Sequence, residues 1–168
     1  RKQAEDMARD AKEKETGSRE VNLHEIYEVL DSYYGIEPRW ANREIELELS
    51  LCEANPFMAE LYKKLQEAGK TVDLMSDMYL PAEVIGKMLE KSGYSGWEKF
   101  YLSNELLIRK GEGTLQQEMR RDYAGHTVAH IGDNLQGDVK KTIEAGIAAL
   151  HWPDARLDYR PNNMESMG

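Results

Sequence analysis

The chain has 168 residues, the length of one ordinary domain or of a core with a small appendage. Its 31 acidic against 22 basic residues give a formal charge of -9, which argues against nucleic acid or an anionic membrane surface as a partner and leaves an anionic substrate dependent on a local cation. The single cysteine, Cys52, excludes an internal disulfide, and no apolar run approaches the ~20 residues of a transmembrane helix. With no signal peptide in view, the expectation is a soluble, cytoplasmic protein without membrane insertion. The chain opens at Arg1, without an initiator methionine and inside a helical pattern, so further sequence upstream is expected.

From Arg1 to Glu53 the pattern is helical. Ala4, Ala8 and Ala11 share a face, Leu23, Ile26, Tyr27 and Leu30 form an apolar stripe, and Trp40, Glu44, Leu47 and Leu51 repeat the period. Asn22 with Glu25 predicts a capping box, Gly35 a helix stop, and Pro38 the approach to the next helix. Cys52, beside Leu49 and Leu51, reads as a small buried hydrophobe.

From Asn55 onward strands and helices alternate. Pro56–Ala68 is predicted helical and closed by Gly69; Thr71–Met75 is a short strand running into Ser76. Pro81 starts a helix carrying Val84, Ile85, Met88 and Leu89, Gly93 stops it, and Phe100–Leu102 is a second strand. A helix over Gly113–Tyr123, a strand over Thr127–Ile131, a helix over Asp138–Glu144 and a final apolar run Ile147–Trp152 complete the series, and the tail from Pro153 is expected to be irregular. Strands separated by single helices imply parallel pairing through right-handed crossovers, hence a three-layer α/β sheet over residues 54–168 behind a helical region over 1–53.

In such a sheet the carboxyl ends of the strands share one edge, where ligands bind. The residues there are Ser76 and Asp77, then Lys110, then Asp133 and Asp138, in an order that suits phosphoryl transfer, where catalysis is mostly positioning and charge neutralisation. Ser76 offers a hydroxyl to a phosphoryl oxygen beside the amide of Asp77, and Lys110 a compact cation. Gly132 is read as letting the backbone turn behind the strand, Asp133 as a direct Mg²⁺ ligand, and Asp138 as holding a metal-bound water or fixing Lys110. Each has a plainer alternative: Ser76 as a cap, Lys110 as surface charge beside Arg109 and Glu112, Gly-Asp-Asn as turn chemistry, and Asp138 as a helix-start acid. His126 and His130 are placed on one strand face without a third metal ligand, and His24 and His151 are given no role.

This order resembles the haloacid dehalogenase (HAD) superfamily, whose signatures are an Asp-x-Asp on the first strand, a Ser or Thr on the second, a Lys, and a Gly-Asp followed by a second acid. Leu74-Met75-Ser76-Asp77, Arg109-Lys110-Gly111 and Gly132-Asp133 through Asp138 look like the second, third and fourth. Ser76-Asp77-Met78-Tyr79-Leu80-Pro81, Tyr101-Leu102-Ser103, Gly113-Thr114-Leu115 and His130-Ile131-Gly132-Asp133-Asn134 are similar to HAD-like domains found beside bacterial surface-polysaccharide glycosyltransferases. The resemblance implies a Rossmann-like HAD core over 54–168, a cap over 1–53 in which Tyr33, Tyr34, Arg39 and Trp40 either pack or face substrate, and a Mg²⁺-dependent phosphohydrolase. Ser76 and Lys110 would be catalytic, Ser76, Asp77 and Asn134 would bind substrate, and Asp133 and Asp138 would hold the metal. A small phosphorylated compound, by association a sugar phosphate, would be the substrate, and a covalent or neighbouring glycosyltransferase domain a partner.

The Asp-x-Asp signature, which supplies nucleophile and general acid/base, has no counterpart. Asp73 lies inside the wrong strand, and Glu5-Asp6 in a helical pattern. It is expected before Arg1, with the central strand that carries it, so that the chain alone would be inactive. Two other readings stay open: a noncatalytic interaction module attached to a glycosyltransferase, and a phosphoacceptor receiver, whose acids come first and lysine last, the reverse of the order here.

Overall fold

The structure, a computed structural model, describes residues 1–153; the expected irregular tail lies, beyond Pro153, outside the described residues. The chain divides into two compact units, Arg1–Ile108 and Arg109–Gly168.

In the first unit, α1 (Lys2–Thr16), α2 (Leu23–Tyr34), α3 (Trp40–Leu51) and α4 (Pro56–Glu67) precede β1 (Leu74–Ser76), α5 (Ala82–Lys91), β2 (Phe100–Leu102) and the short α6 (Ser103–Leu106). Small side chains at Ala4 and Ala8 let α1 lie close on α2, whose Leu23 and Ile26 are fully buried, each burial worth about 1.5–3 kcal/mol. Leu80 and Val84 join the same apolar cluster. The α2 capping box forms in both directions: Asn22 Oδ1 accepts from the Glu25 amide at 3.1 Å, and Glu25 Oε2 accepts from the Asn22 amide at 2.8 Å. Gly35 closes α2 in the left-handed conformation (φ 65°), and Asn55 caps α4 ahead of Pro56. Where α3 ends, Lys91 Nζ donates to the carbonyls of Leu49, Ser50 and Cys52 at 2.6, 3.0 and 3.2 Å, the cation a helix carboxyl terminus favours.

Three sequence expectations need correction here. The strand expected over Thr71–Met75 begins only at Leu74, because the Asp73 carboxylate takes the Lys99 amide (3.0 Å) that a backbone ladder would otherwise use. Cys52 is half-buried at the end of α3, its Sγ 3.6 Å from Ser92 Oγ, and is not core. Tyr33, Tyr34 and Trp40 are exposed by 68%, 49% and 52%, so they do not serve as packing among the described residues.

In the second unit a 3₁₀ turn (Lys110–Glu112) leads into α7 (Thr114–Asp122), β3 (Ala129–Gly132), a π-helical turn (Leu135–Lys140), α8 (Lys141–Glu144) and β4 (Ala148–His151). The helix expected from Asp138 thus starts earlier and wider, for reasons that lie in the site itself. His126 stands in the loop before β3, against Tyr123, and shares no strand face with His130.

The architecture is mixed helix and short parallel strands. β1 pairs with β2 in parallel, Ser76 opposite Leu102, and β3 pairs with β4 in parallel, Gly132 opposite His151. Among the described residues each pair is a separate two-stranded sheet.

Candidate functional site

The expected residues fall into the two units. Ser76, half-buried, ends β1, and Asp77 is exposed just after it. The loop they begin is held from three sides: the Met78 amide donates to Ser103 Oγ at 3.2 Å, Asn104 Nδ2 donates to the Leu80 carbonyl at 3.0 Å, and the Leu23 amide donates to the Tyr79 carbonyl at 2.8 Å. Ser103 is fully buried, and no spacing in the sequence ties it to Ser76; only the β1–β2 pairing does.

The second unit brings Lys110, Asp133, Asn134 and Asp138 together around the end of β3. Thr114 Oγ1 accepts from the Arg109 amide at 2.9 Å and donates to its carbonyl at 3.0 Å, fixing the backbone just before Lys110. Asn134 organises the π-helical turn. Its Oδ1 accepts from the amides of Gln136 (3.0 Å) and Gly137 (2.9 Å), and its carbonyl accepts from those of Asp138 (2.8 Å) and Val139 (3.3 Å). The bond from Val139 spans five residues and widens the turn, which rolls Asp138 back over the strand.

Asp138 is 1% exposed. Its Oδ1 accepts from Lys110 Nζ at 2.8 Å and lies 3.0 Å from His130 Nε2, while Oδ2 accepts from the Asn134 amide at 3.0 Å. Burial alone would raise this carboxyl, but the hydrogen bonds from His130 and Lys110 and the lysine charge outweigh it and hold the group well below the usual carboxylate range. Gly132 is needed here for the absence of a side chain and not for a left-handed turn: a Cβ at 132 would overlap the Asp138 carboxyl group, and the glycine's φ lies outside the positive range.

Asp133, half-buried, lines an open cleft with Asn134, Leu135, Gln136, His151 and Pro153, and His151 Nε2 stands 3.2 Å from the Asp133 carbonyl. His151, given no role from sequence, therefore touches the site, because the β3–β4 register sets it opposite Gly132.

The two aspartates differ in what they can do. The Lys110 side chain keeps 19% exposure against 2% for Asp138, so the lysine side chain is partly open to solvent while the carboxylate is enclosed. Of the two uses open to Asp138, fixing Lys110 is the contact observed. Among the described residues no group of three His, Cys, Asp or Glu side chains is arranged around a common point, and Asp133 is the acidic residue among those lining the cleft. Among the described residues no helix is long and apolar enough to cross a membrane.

No family model matches the chain, and no curated protein matches it.

Proposed function

We propose that the chain is the supporting part of a Mg²⁺-dependent phosphohydrolase of the HAD type, in which Lys110 is the fixed cation that neutralises a transferring phosphoryl group. The single observation carrying this reading is the Lys110 ammonium, on a partly exposed side chain, held 2.8 Å from a buried Asp138 carboxylate, in the unit whose cleft contains Asp133 and Asn134. A buried ion pair is weak evidence for stability alone, which favours a use for the cation beyond holding the fold. Ser76 and Asp77 bind the phosphoryl group in this reading, and Asn134 the substrate, roles taken from the resemblance. In this reading the resemblance places the nucleophile and a further Mg²⁺ ligand in an Asp-x-Asp segment preceding Arg1, and Asp133 and Asp138 are the acids this chain brings to the ion. The fold that goes with it is a Rossmann-like three-layer sheet with a helical cap over 1–53. Among the described residues β1 and β3 have one partner strand each, which supports it by leaving each an edge for a further strand. A small phosphorylated compound, a sugar phosphate by association, is the substrate, and the cytoplasm the setting.

The test is to express the chain with its preceding genomic sequence and assay a generic phosphate ester with Mg²⁺ and with chelator. Turnover that needs Mg²⁺ and is lost in Lys110→Met is the expected result; no turnover in the extended protein would sink the enzymatic reading.

A second reading, a noncatalytic module beside a glycosyltransferase domain, is favoured by the exposed apolar side chains of Trp40, Leu47 and Leu51 on α3 and of Phe57 on α4. Co-purification of the two domains only while Trp40 and Leu51 are intact would support it.

A further inference from the structure

We infer that Gln116 is a positioning residue whose side-chain amide clamps the Lys110 turn to the π-helical turn and so sets where the Lys110 ammonium meets Asp138. The inference rests on the reading of Lys110 as the working cation.

Gln116 lies in the first turn of α7 and is fully buried. Its Nε2 donates to the Gly137 carbonyl at 2.7 Å and, more weakly, to the Lys110 carbonyl at 3.4 Å. One acceptor belongs to the residue that carries the ammonium, the other to the residue just before the one that carries the carboxylate. One amide thus spans the two backbones whose separation fixes the ion pair. The turns also touch directly, since a Cβ at Gly137 would stand 3.5 Å from Lys110 Cβ. His130 and Asn134 hold the Asp138 carboxylate from the strand side, through its own oxygens. Gln116 acts on the other half of the problem, the placement of the lysine backbone.

Chemistry separates this role from packing. Burying a primary amide is costly unless it is hydrogen-bonded; Gln116 Nε2 is bonded but Oε1 is buried with no hydrogen-bond partner among the described residues, a cost that leucine or methionine of similar volume would not carry. What glutamine adds is a pair of N–H donors on one nitrogen, able to serve two carbonyls at once. The position has no apolar periodicity to mark it, as Leu115 and Met119 supply the buried stripe of α7.

The experiment uses the full chain and reads Lys110 directly, by competitive acylation with acetic anhydride and mass spectrometry and by ¹⁵N NMR of the lysine ammonium groups. Lys110 is expected to acylate more slowly than Lys63 and Lys64, which are exposed by 76% and 67%. In Gln116→Met its rate should rise about three- to tenfold, the factor corresponding to the net worth of a hydrogen bond, and its ammonium signal should shift, with Lys63 and Lys64 unchanged. Gln116→Leu should do the same. A folded variant of lower stability in which Lys110 keeps its rate and its signal would show packing alone and overturn the inference. If neither variant folds, the wild-type chain decides: slow solvent exchange of the Gln116 amide protons sustains the clamp, and exchange as fast as that of a surface glutamine overturns it. None of these readouts uses turnover, so loss of the enzymatic reading and loss of the clamp are distinguishable.

Discussion

The Asp138 carboxylate lies directly on β3, and the strand has to be bare where it lies. Gly132 supplies that bare patch, so its replacement tests the geometry at the smallest scale available. Gly132→Ala adds a methyl group that overlaps the carboxyl carbon and oxygen of Asp138. Either the strand or the π-helical turn must shift, and overpacking of this kind costs about 1–3 kcal/mol. The urea midpoint should fall accordingly, with Lys110 becoming more reactive; an unchanged midpoint and unchanged Lys110 would show that the carboxylate does not rest on the strand. Glycine before an aspartate was legible as a site marker, but its reason was not. The sequence pattern suggests a backbone turn, whereas the demand comes from a side chain six residues away that reaches back only because of the wide turn built on Asn134.

At the scale of elements, local chemistry carries most of the fold. Caps and stops are set by neighbours within a turn or so, which is why the Asn22–Glu25 box, the Gly35 stop and the Pro56 start appear as expected. Asn22→Ala removes the Asn22 Oδ1 acceptor and leaves the Glu25 backbone amide without it, while the Glu25 carboxylate keeps the residue 22 amide; the loss should be about 1 kcal/mol in chemical denaturation, and Asn22→Ser should recover most of it. A variant with no loss would mean that the α2 start is held by the Leu23–Tyr79 backbone bond and not by its cap. Where elements departed from expectation, a polar side chain had intervened in the backbone ladder: Asp73 shortens β1, and Asn134 converts the start of the last helix into a π-helical turn. Such competition is hard to read from sequence, because the same aspartate or asparagine is equally compatible with a turn, a cap or an exposed position.

For the whole molecule the consequence is a stability profile with two edges in pH. Asp138 and Glu44 both sit below their ordinary range. For Glu44, burial would raise the carboxyl, but hydrogen bonds from Arg1 and Tyr27 and the Arg1 charge overcome it. A depressed folded-state pKa means that the unfolded chain binds protons first on acidification. Their contribution is therefore complete above about pH 4–5 and is lost progressively as pH falls below it. Tyr27 gives the opposite edge: burial and its hydrogen bond to Glu44 push the phenol up to about 12, so above its ordinary value of 10.0 the unfolded chain releases the proton first and stability declines. Denaturation midpoints from pH 2 to 7 should drop at the acid end for the wild type and less steeply for Asp138→Asn, which starts from a lower plateau. Between pH 10 and 11.5 the decline should be reduced in Tyr27→Phe. An acid limb of equal slope in the wild type and Asp138→Asn would mean that the carboxylate is not engaged as described.

The order of helices and strands and the parallel habit of the strands follow from periodicity and capping, which are local properties that a linear sequence carries in full, whereas the grouping of Lys110 with Asp138 follows only from chain order along parallel strands and joins residues 28 apart. The tertiary structure decided which group each of those residues serves. Asp138 turns to Lys110 and His130, Gly132 makes room for it, and Gln116, Ser103 and His151 enter from elements distant in sequence. A carboxylate's use depends on what lies within about 3 Å of each oxygen and whether water reaches it, and both are set by packing between elements far apart along the chain.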